Sequence, residues 1–206
     1  MNEKLANKVC LITGATSGIG EESAKELNKM GAEIIFIARN EEKGNRLKQE
    51  LQNDSGREAT MIIADLSSQA EVKKAANEFL ALNKPLDILL NNAGIMNRER
   101  NETVDGFEEV FSVNHLAYYT FSLLLAEKLK ETKESRVINV ASGAHQFVKD
   151  MNFEDLQSEE TFKPMQVYGQ SKLANILFTK SLARKLLDFD VTVNCLHPGF
   201  VSTGIG

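Results

Sequence analysis

The sequence predicts an α/β fold in which helices cover both faces of a doubly wound parallel sheet. Six short apolar runs recur along the 206 residues, and the segments between them carry apolar residues at the 3.6-residue spacing of amphipathic helices. Strands that are apolar throughout suit a sheet that is buried on both faces. Their alternation with helices is typical of parallel βαβ units.

The order of the elements follows from the positions of these runs. The first four strands begin about 26 residues apart, close to the length of a βαβ unit, and the next two gaps are roughly twice as long. We interpret the mixed-charge run at residues 40–50 as the solvated face of the second helix. Apolar periodicity predicts the other helices near residues 19–30, 72–79, 107–125 and 173–180. The predicted strands are residues 9–12, 34–37, 60–64, 86–90, 137–140 and 191–196.

The composition is that of one soluble globular domain over residues 1–206. Hydrophobic residues make up 42% of the chain and charged residues 26%, with a net charge of -5. This balance offers no basic surface to nucleic acid, and no apolar stretch approaches the roughly 20 residues of a membrane span. The first residues lack the apolar core of a signal peptide, and both cysteines lie in apolar runs, so we expect a cytoplasmic location. The three histidines lack the spacing of metal ligands, and no metal site is expected.

A glycine-rich turn directly follows the first predicted strand. Residues 13–20 read Thr-Gly-Ala-Thr-Ser-Gly-Ile-Gly and lead into a helix. Unpaired N–H groups and the positive end of a helix dipole then meet at one point, which suits the pyrophosphate of a dinucleotide. An ordinary turn is the alternative, and the position after the first strand disfavours it. The candidate cofactor-binding residues here are Gly14, Thr16, Ser17, Gly18, Ile19 and Gly20.

The end of the second strand distinguishes the two nicotinamide dinucleotides. An acidic residue there would bind the adenosine ribose, whereas an arginine accommodates a 2'-phosphate. Arg39 follows this strand, and the first carboxylate comes only at Glu41. NADP is therefore favoured over NAD, unless Arg39 is simply a solvated surface side chain.

Two further strand ends point to the same crevice, because open α/β sheets bind ligands at the carboxyl ends of their strands. Asp65 and Leu66 follow the third strand, where a carboxylate could accept the adenine amino group. Small residues and an amide follow the fourth, at Asn92, Ala93 and Gly94. Taken singly, an Asp at a helix start is more often a cap and Asn-Ala-Gly more often a turn, but the two segments together favour a binding site.

A tyrosine and a lysine lie four residues apart in the last helical region. Tyr168 and Lys172 would share one helix face, about 6 Å apart. A neighbouring ammonium favours phenolate, so we expect the pKa of Tyr168 to fall from about 10 and the phenol to become a proton donor and acceptor. An ordinary exposed pair is the alternative. Ser142, directly after the fifth strand, favours a catalytic interpretation because its hydroxyl would lie at the same crevice.

Taken in order, these motifs resemble those of the short-chain dehydrogenase/reductase family over residues 8–206. The resemblance implies a Rossmann-like fold that binds NAD(P), with Tyr168 as the acid/base. It also implies that Lys172 lowers the pKa of Tyr168 and holds the nicotinamide ribose. Ser142 would bind the carbonyl oxygen, and Asn114 would support a proton relay through water. Further cofactor contacts are implied at Val113, Pro198, Gly199, Val201 and Thr203.

Within that family, residues 113–116, 140–145 and 171–175 are most similar to the retinol-dehydrogenase-like branch. The expected function is an NADP(H)-dependent oxidoreductase that interconverts an alcohol and a carbonyl, and the branch suggests a lipophilic substrate. The resemblance also implies a homo-oligomer face built from residues 107–129 and 167–187. Members of the family normally continue with a substrate-covering loop, a helix and a seventh strand, so we expect the domain to be C-terminally incomplete. A cofactor-binding scaffold or sensor without turnover is the alternative.

Overall fold

A computed structural model describes residues 4–199 and contains a six-stranded sheet. Each pair of neighbouring strands is parallel, and the order is β3-β2-β1-β4-β5-β6. This arrangement confirms the predicted doubly wound parallel sheet. The strands are β1 (Val9–Thr13), β2 (Glu33–Ala38), β3 (Thr60–Ile63), β4 (Ile88–Asn91), β5 (Ser135–Val140) and β6 (Val191–Leu196).

Helices connect these strands. The α-helices are α1 (Gly18–Lys29), α2 (Glu41–Ser55), α3 (Gln69–Ala81), α4 (Glu109–Phe111), α5 (Ala117–Leu124), α6 (Ala126–Glu131) and α7 (Pro164–Lys185). A π-helical turn (Ser112–Leu116) joins α4 to α5, and a 3-10 helix (Gly143–Phe147) follows β5. The charged run at residues 40–50 lies in α2, as predicted.

Two hydrophobic clusters cover the two faces of the sheet. Successive residues of a strand point to opposite faces. Leu11 belongs to the cluster shared with α3, α5 and α7, whereas Ile12 belongs to the cluster shared with α1 and α2. Phe79 and Phe121 fill the first cluster and Phe36 the second, and all three are fully buried. Because both faces are covered, the strands are apolar along their whole length.

The chain changes its direction of travel across the sheet between β1 and β4. β2 and β3 lie on one side of β1, and β4, β5 and β6 lie on the other. A crevice opens at such a reversal, outside the carboxyl ends of the strands. The glycine turn after β1 and residues 92–94 after β4 therefore face each other across it.

Several element boundaries differ from the prediction, and two of these differences have a visible structural cause. β4 begins at Ile88 rather than at residue 86, since the N–H of Leu86 donates to Thr132 Oγ1 at 3.1 Å. The helix predicted as continuous over residues 107–125 is divided by the π-helical turn. Its start is fixed by the buried Glu108 carboxylate, which accepts the N–H groups of Val110 and Phe111. π-Helical turns occur frequently at functional sites.

Within residues 4–199, no helix is long and apolar enough to cross a membrane. The same stretch holds no group of three or more histidine, cysteine, aspartate or glutamate side chains placed to bind a metal ion. Cys10 and Cys195 are both free thiols.

Candidate active site

The glycine turn between β1 and α1 is shaped to receive an anion. Gly14 and Gly18 adopt φ values of 67° and 55°, which favour glycine. A Cβ on Gly20 would lie 2.2 Å from the Gly14 carbonyl oxygen, so a side chain there would force the turn open. The side chain of Ser17, the residue before α1, accepts no hydrogen bond from the N–H groups of that helix. A glycine cradle with open helix N–H groups fits a pyrophosphate.

Arg46 of α2 ties this turn to the neighbouring helix. Its Nη2 donates to the Thr16 carbonyl at 3.4 Å and to Glu21 Oε2 at 3.1 Å. Ile19 is half-buried beneath the start of α1. The turn is therefore held from the side that faces α2 and left open on the side of the crevice.

The expected adenosine side of the site follows β2 and β3. Arg39 is exposed directly after β2, and Asn40 beside it caps α2. Asp65 is half-buried, and its Oδ1 accepts the N–H of Ser67 at 2.9 Å. Leu66 differs from these, because it is 8% exposed and packs in the hydrophobic core.

Thr13 locks the two sides of the crevice together, and sequence reasoning missed it. Its Oγ1 accepts the backbone N–H groups of Asn92 at 3.0 Å and Ala93 at 3.1 Å. In return, Asn92 Nδ2 donates to the carbonyls of Thr13 and Gly14. A Cβ on Gly14 would lie 2.6 Å from the Ala93 Cα, so the two turns are in direct contact. A polar residue at the end of an apolar strand was the only signal in the sequence.

The structure brings the predicted catalytic side chains together at the carboxyl end of β5. Lys172 Nζ donates to the Val140 carbonyl at 3.1 Å and lies 5.4 Å from the centre of the Tyr168 ring. The Ser142 hydroxyl lies near enough to the Tyr168 phenol to lower the pKa of that phenol. Ser142 also caps the 3-10 helix by accepting the N–H of Ala144, which fixes its side chain at the strand end.

Burial determines the direction in which the pKa values of Lys172 and Tyr168 shift. Desolvation lowers the pKa of Lys172 to about 8, because the side chain is 2% exposed. Desolvation also raises the pKa of Tyr168, and the neighbouring Ser142 hydroxyl offsets only part of this rise. The expected lowering of the Tyr168 pKa is therefore wrong for the chain by itself. The low polarity around the phenol outweighs an ammonium that is itself poorly solvated.

Asn114 is a fully buried junction between three segments. Its side chain accepts the Ile95 N–H at 2.8 Å and donates to the Ile95 carbonyl at 3.0 Å and to Ser171 Oγ at 3.1 Å. Ser171 Oγ donates in turn to the Tyr168 carbonyl at 2.7 Å. Asn114 thereby fixes the loop after β4 against the helix that carries Tyr168.

A buried polar chain extends from this junction through α7 to the sheet. Asn175 Nδ2 donates to the Asn114 carbonyl at 2.8 Å, and Thr179 Oγ1 donates to the Asn175 carbonyl at 2.7 Å. Asn139 Nδ2 donates to Thr179 Oγ1, and Asn91 Nδ2 donates to Asn139 Oδ1. Most polar atoms of this buried polar chain find a partner within it, which offsets the cost of burying them, and Asn91 Oδ1 is the exception. Sequence reasoning missed Ser171, Asn175 and Thr179, since their partners are far away along the chain.

The remaining predicted residues fall in three places. Gly94 borders the catalytic cluster, because a Cβ there would lie 3.4 Å from Lys172 Nζ. Val113 is 7% exposed and packs in the core beneath the crevice. Pro198 and Gly199 follow β6, at the same edge of the sheet. Val201 and Thr203 lie outside the described residues.

The model of the short chain dehydrogenase family matches residues 8–206. The chain belongs to the short-chain dehydrogenase family. Human retinol dehydrogenase 11 is 42% identical over 201 residues, and mouse retinol dehydrogenase 12 is 41% identical over 205 residues. These matches cover 97% and 99% of this chain but 63% and 65% of the relatives, so the chain spans slightly less than two thirds of their length. Similarity to the retinol-dehydrogenase-like branch is thus confirmed.

The fold is shared with a short chain dehydrogenase from Burkholderia cenocepacia that was solved in complex with NADP. The two chains superpose with a TM-score of 0.80 at 29% identity, over 97% of this chain and 77% of the other. The two proteins therefore share their overall fold.

We expect Thr13→Val to destabilise the protein by about 1–3 kcal/mol, because it leaves two backbone N–H groups of the residue 92–94 turn without an acceptor. Thr13→Ser keeps the hydroxyl and is the matched control, with a smaller loss from the missing methyl group. Urea denaturation of both variants measures the difference. Equal stability of Thr13→Val and the wild type would contradict the locking role.

Lys172→Met should stabilise the protein at pH 7 by up to about 3 kcal/mol, because burial favours the neutral amine. The lysine pKa is about 8 when folded, against 10.5 for the unperturbed group. At a pH between these two pKa values, Lys172 is protonated in the unfolded chain and neutral in the folded chain. The wild type therefore gains stability as pH rises through this range. The advantage of Lys172→Met should therefore shrink from pH 8 to pH 10.5.

Chemical denaturation over pH 7–10 measures this advantage. Lys180→Met, at an exposed position of the same helix, serves as the control and should show no such trend. An advantage of Lys172→Met that stays constant across this range would show that Lys172 is not desolvated.

Proposed function

We propose that the protein is an NADP(H)-dependent oxidoreductase that interconverts an alcohol and a carbonyl, with Tyr168 as the acid/base. The observation that carries this proposal is the convergence of Ser142, Tyr168 and Lys172 at the end of β5, beside the crevice between β1 and β4. Transfer of a hydride to a carbonyl carbon requires a proton donor at the oxygen and a hydrogen bond that orients it. These three side chains are of the types needed.

The glycine turn and the strand ends would hold the dinucleotide. Gly14, Gly18 and Gly20 shape the cradle for the pyrophosphate, and Arg39 would pair with a 2'-phosphate. When bound, the nicotinamide ring supplies or accepts the hydride. The NADP complex of the Burkholderia relative supports the choice of this cofactor.

Each catalytic residue has a distinct task in this proposal. Tyr168, kept protonated by burial, donates its phenolic proton to the carbonyl oxygen during reduction, while Ser142 orients that oxygen. Lys172 is mostly charged at pH 7 and stabilises the phenolate that remains. The Asn114 carbonyl already accepts from Asn175, and its second lone pair is available to a water molecule of the proton relay.

The substrate is proposed to be lipophilic. Phe147, Phe153 and Met165 lie between Ser142 and Tyr168 in the chain and are 65%, 76% and 45% exposed. Exposed apolar side chains in the segment that joins Ser142 to Tyr168 would suit an apolar ligand. The relatives' name, retinol dehydrogenase, makes retinal the first aldehyde to test.

A homo-oligomer and a cytoplasmic location complete the proposal. Tyr119 and Leu123 of α5 and Leu177 of α7 are 45%, 43% and 46% exposed, which favours an apolar contact between copies. The two free thiols are compatible with a reducing compartment.

We expect Tyr168→Phe to lower kcat for retinal reduction at least about 100-fold, because the variant has no proton to transfer. The dissociation constant for NADPH should stay within about twofold, since the ring is retained. Tyr119→Phe, which removes an exposed hydroxyl one turn from the site, is the control. Undiminished turnover by Tyr168→Phe would refute the proposed chemistry, and a wild type that binds NADPH without turnover would indicate a scaffold.

Arg39→Ala should weaken NADPH binding about tenfold and leave NADH binding unchanged, because only NADPH carries the 2'-phosphate. Calorimetric titration with both dinucleotides measures this selectivity. Arg136→Ala removes an exposed arginine at the opposite end of the sheet and controls for the loss of net charge. Equal affinity of Arg39→Ala and the wild type for NADPH would remove Arg39 from the site.

A further inference from the structure

Tyr118 is a buried tyrosine with a contact at each end of its side chain. It lies on α5 and is 1% exposed. Its hydroxyl donates to the Ala93 carbonyl at 2.7 Å, in the turn that Thr13 locks from the other side. The centre of its ring lies 5.8 Å from Lys172 Nζ. One side chain thus contacts both the cofactor turn and the catalytic lysine.

The surroundings of Lys172 explain why the ring matters. The ammonium has three N–H groups, and the Val140 carbonyl is its one hydrogen-bond acceptor among residues 4–199. No carboxylate of that part of the chain forms an ion pair with it. The titratable groups that face it are the phenols of Tyr118 from α5 and Tyr168 from α7. Besides the Val140 carbonyl, two aromatic rings within about 6 Å are therefore the favourable electrostatic contacts of this cation.

We propose that Tyr118 is a positioning residue of the active site, whose ring holds the Lys172 ammonium against the end of β5 and whose hydroxyl fixes the turn at residues 92–94. This inference deepens the proposed function and rests on it for its kinetic consequences. Geometry carries it: one buried phenol links α5 to the turn after β4 and to the lysine of α7. In this proposal Tyr118 contacts neither the substrate nor the nicotinamide, and it acts through Lys172 and Ala93.

Two substitutions separate the tasks of the ring and the hydroxyl. Tyr118→Phe keeps the ring and removes the donor to Ala93, so we expect NADPH to bind about five- to tenfold more weakly while Lys172 titrates as in the wild type. Tyr118→Leu removes the ring as well. Because the ring favours the charged form, the Lys172 titration midpoint should then move down by at least about half a pH unit.

The midpoint can be measured without any catalytic activity. Lysine 13Cε chemical shifts are followed by NMR across pH 6–11, and the Lys172 signal is assigned by its absence in Lys172→Met. Tyr119→Phe and Tyr119→Leu are the matched controls, because Tyr119 is the next residue of α5 and is 45% exposed. Both controls should leave the midpoint and the NADPH affinity unchanged.

A kinetic measurement reports the same contact. Reduction requires a charged Lys172 and a protonated Tyr168, so the rate should fall as pH rises through the lower of the two pKa values, that of Lys172. The pH at which the rate falls should be lower in Tyr118→Leu than in the wild type and unchanged in Tyr118→Phe. If Tyr118 only filled space, both variants would change the stability of the protein and leave the pH at which the rate falls unchanged.

Each outcome has one meaning. A Lys172 midpoint in Tyr118→Leu equal to that of the wild type overturns the role of the ring, and unchanged NADPH affinity in Tyr118→Phe overturns the role of the hydroxyl. If Tyr118→Leu does not fold, Tyr118→Met makes the same test with a more adaptable side chain. A wild type that neither binds NADPH nor reduces an aldehyde refutes the proposed function, while the NMR midpoints still decide the ring contact.

Discussion

The burial of the Lys172 ammonium is the constraint on which the rest of the site depends. A buried cation loses its hydration, and in this chain it regains one carbonyl contact and two ring faces. These contacts only partly replace water, which is why its pKa falls to about 8. The protein therefore accepts a destabilising group at the centre of its crevice. Proteins commonly tolerate a loss of folding stability where the destabilising group is needed for activity.

Holding that cation requires α5, α7 and the end of β5 to stay in fixed positions. The buried amides and hydroxyls that run from Asn91 to Asn114 connect these elements with hydrogen bonds inside the core. The side chain of Asn114 is hydrogen-bonded to the backbone of Ile95 and to Ser171 Oγ, and Ser171 Oγ donates to the Tyr168 carbonyl. These bonds fix the loop after β4 against the helix that carries Tyr168. Displacement of any one of these side chains would leave the buried group that it pairs with unsatisfied.

Most of the fold was predictable, because apolar runs and helical periodicity are local signals, and β6 was predicted with the correct ends. Strand ends also indicated where the candidate site lies, since parallel strands bring their carboxyl ends to one edge. Thr13 was not predictable, because its partners Asn92 and Ala93 lie 79 and 80 residues away in the chain. The direction of the Tyr168 pKa was predicted wrongly for the same reason: burial is a property of the folded chain, which spacing along one helix does not report.

The central claim is that this crevice supports direct hydride transfer from NADPH to a carbonyl. The most direct test uses NADPH deuterated at C4 of the nicotinamide, with retinal and a series of aliphatic aldehydes, and analyses the product alcohols by mass spectrometry. The account predicts one deuterium on the carbinol carbon of at least one product. NADPH that binds tightly but passes no deuterium to any aldehyde would contradict it.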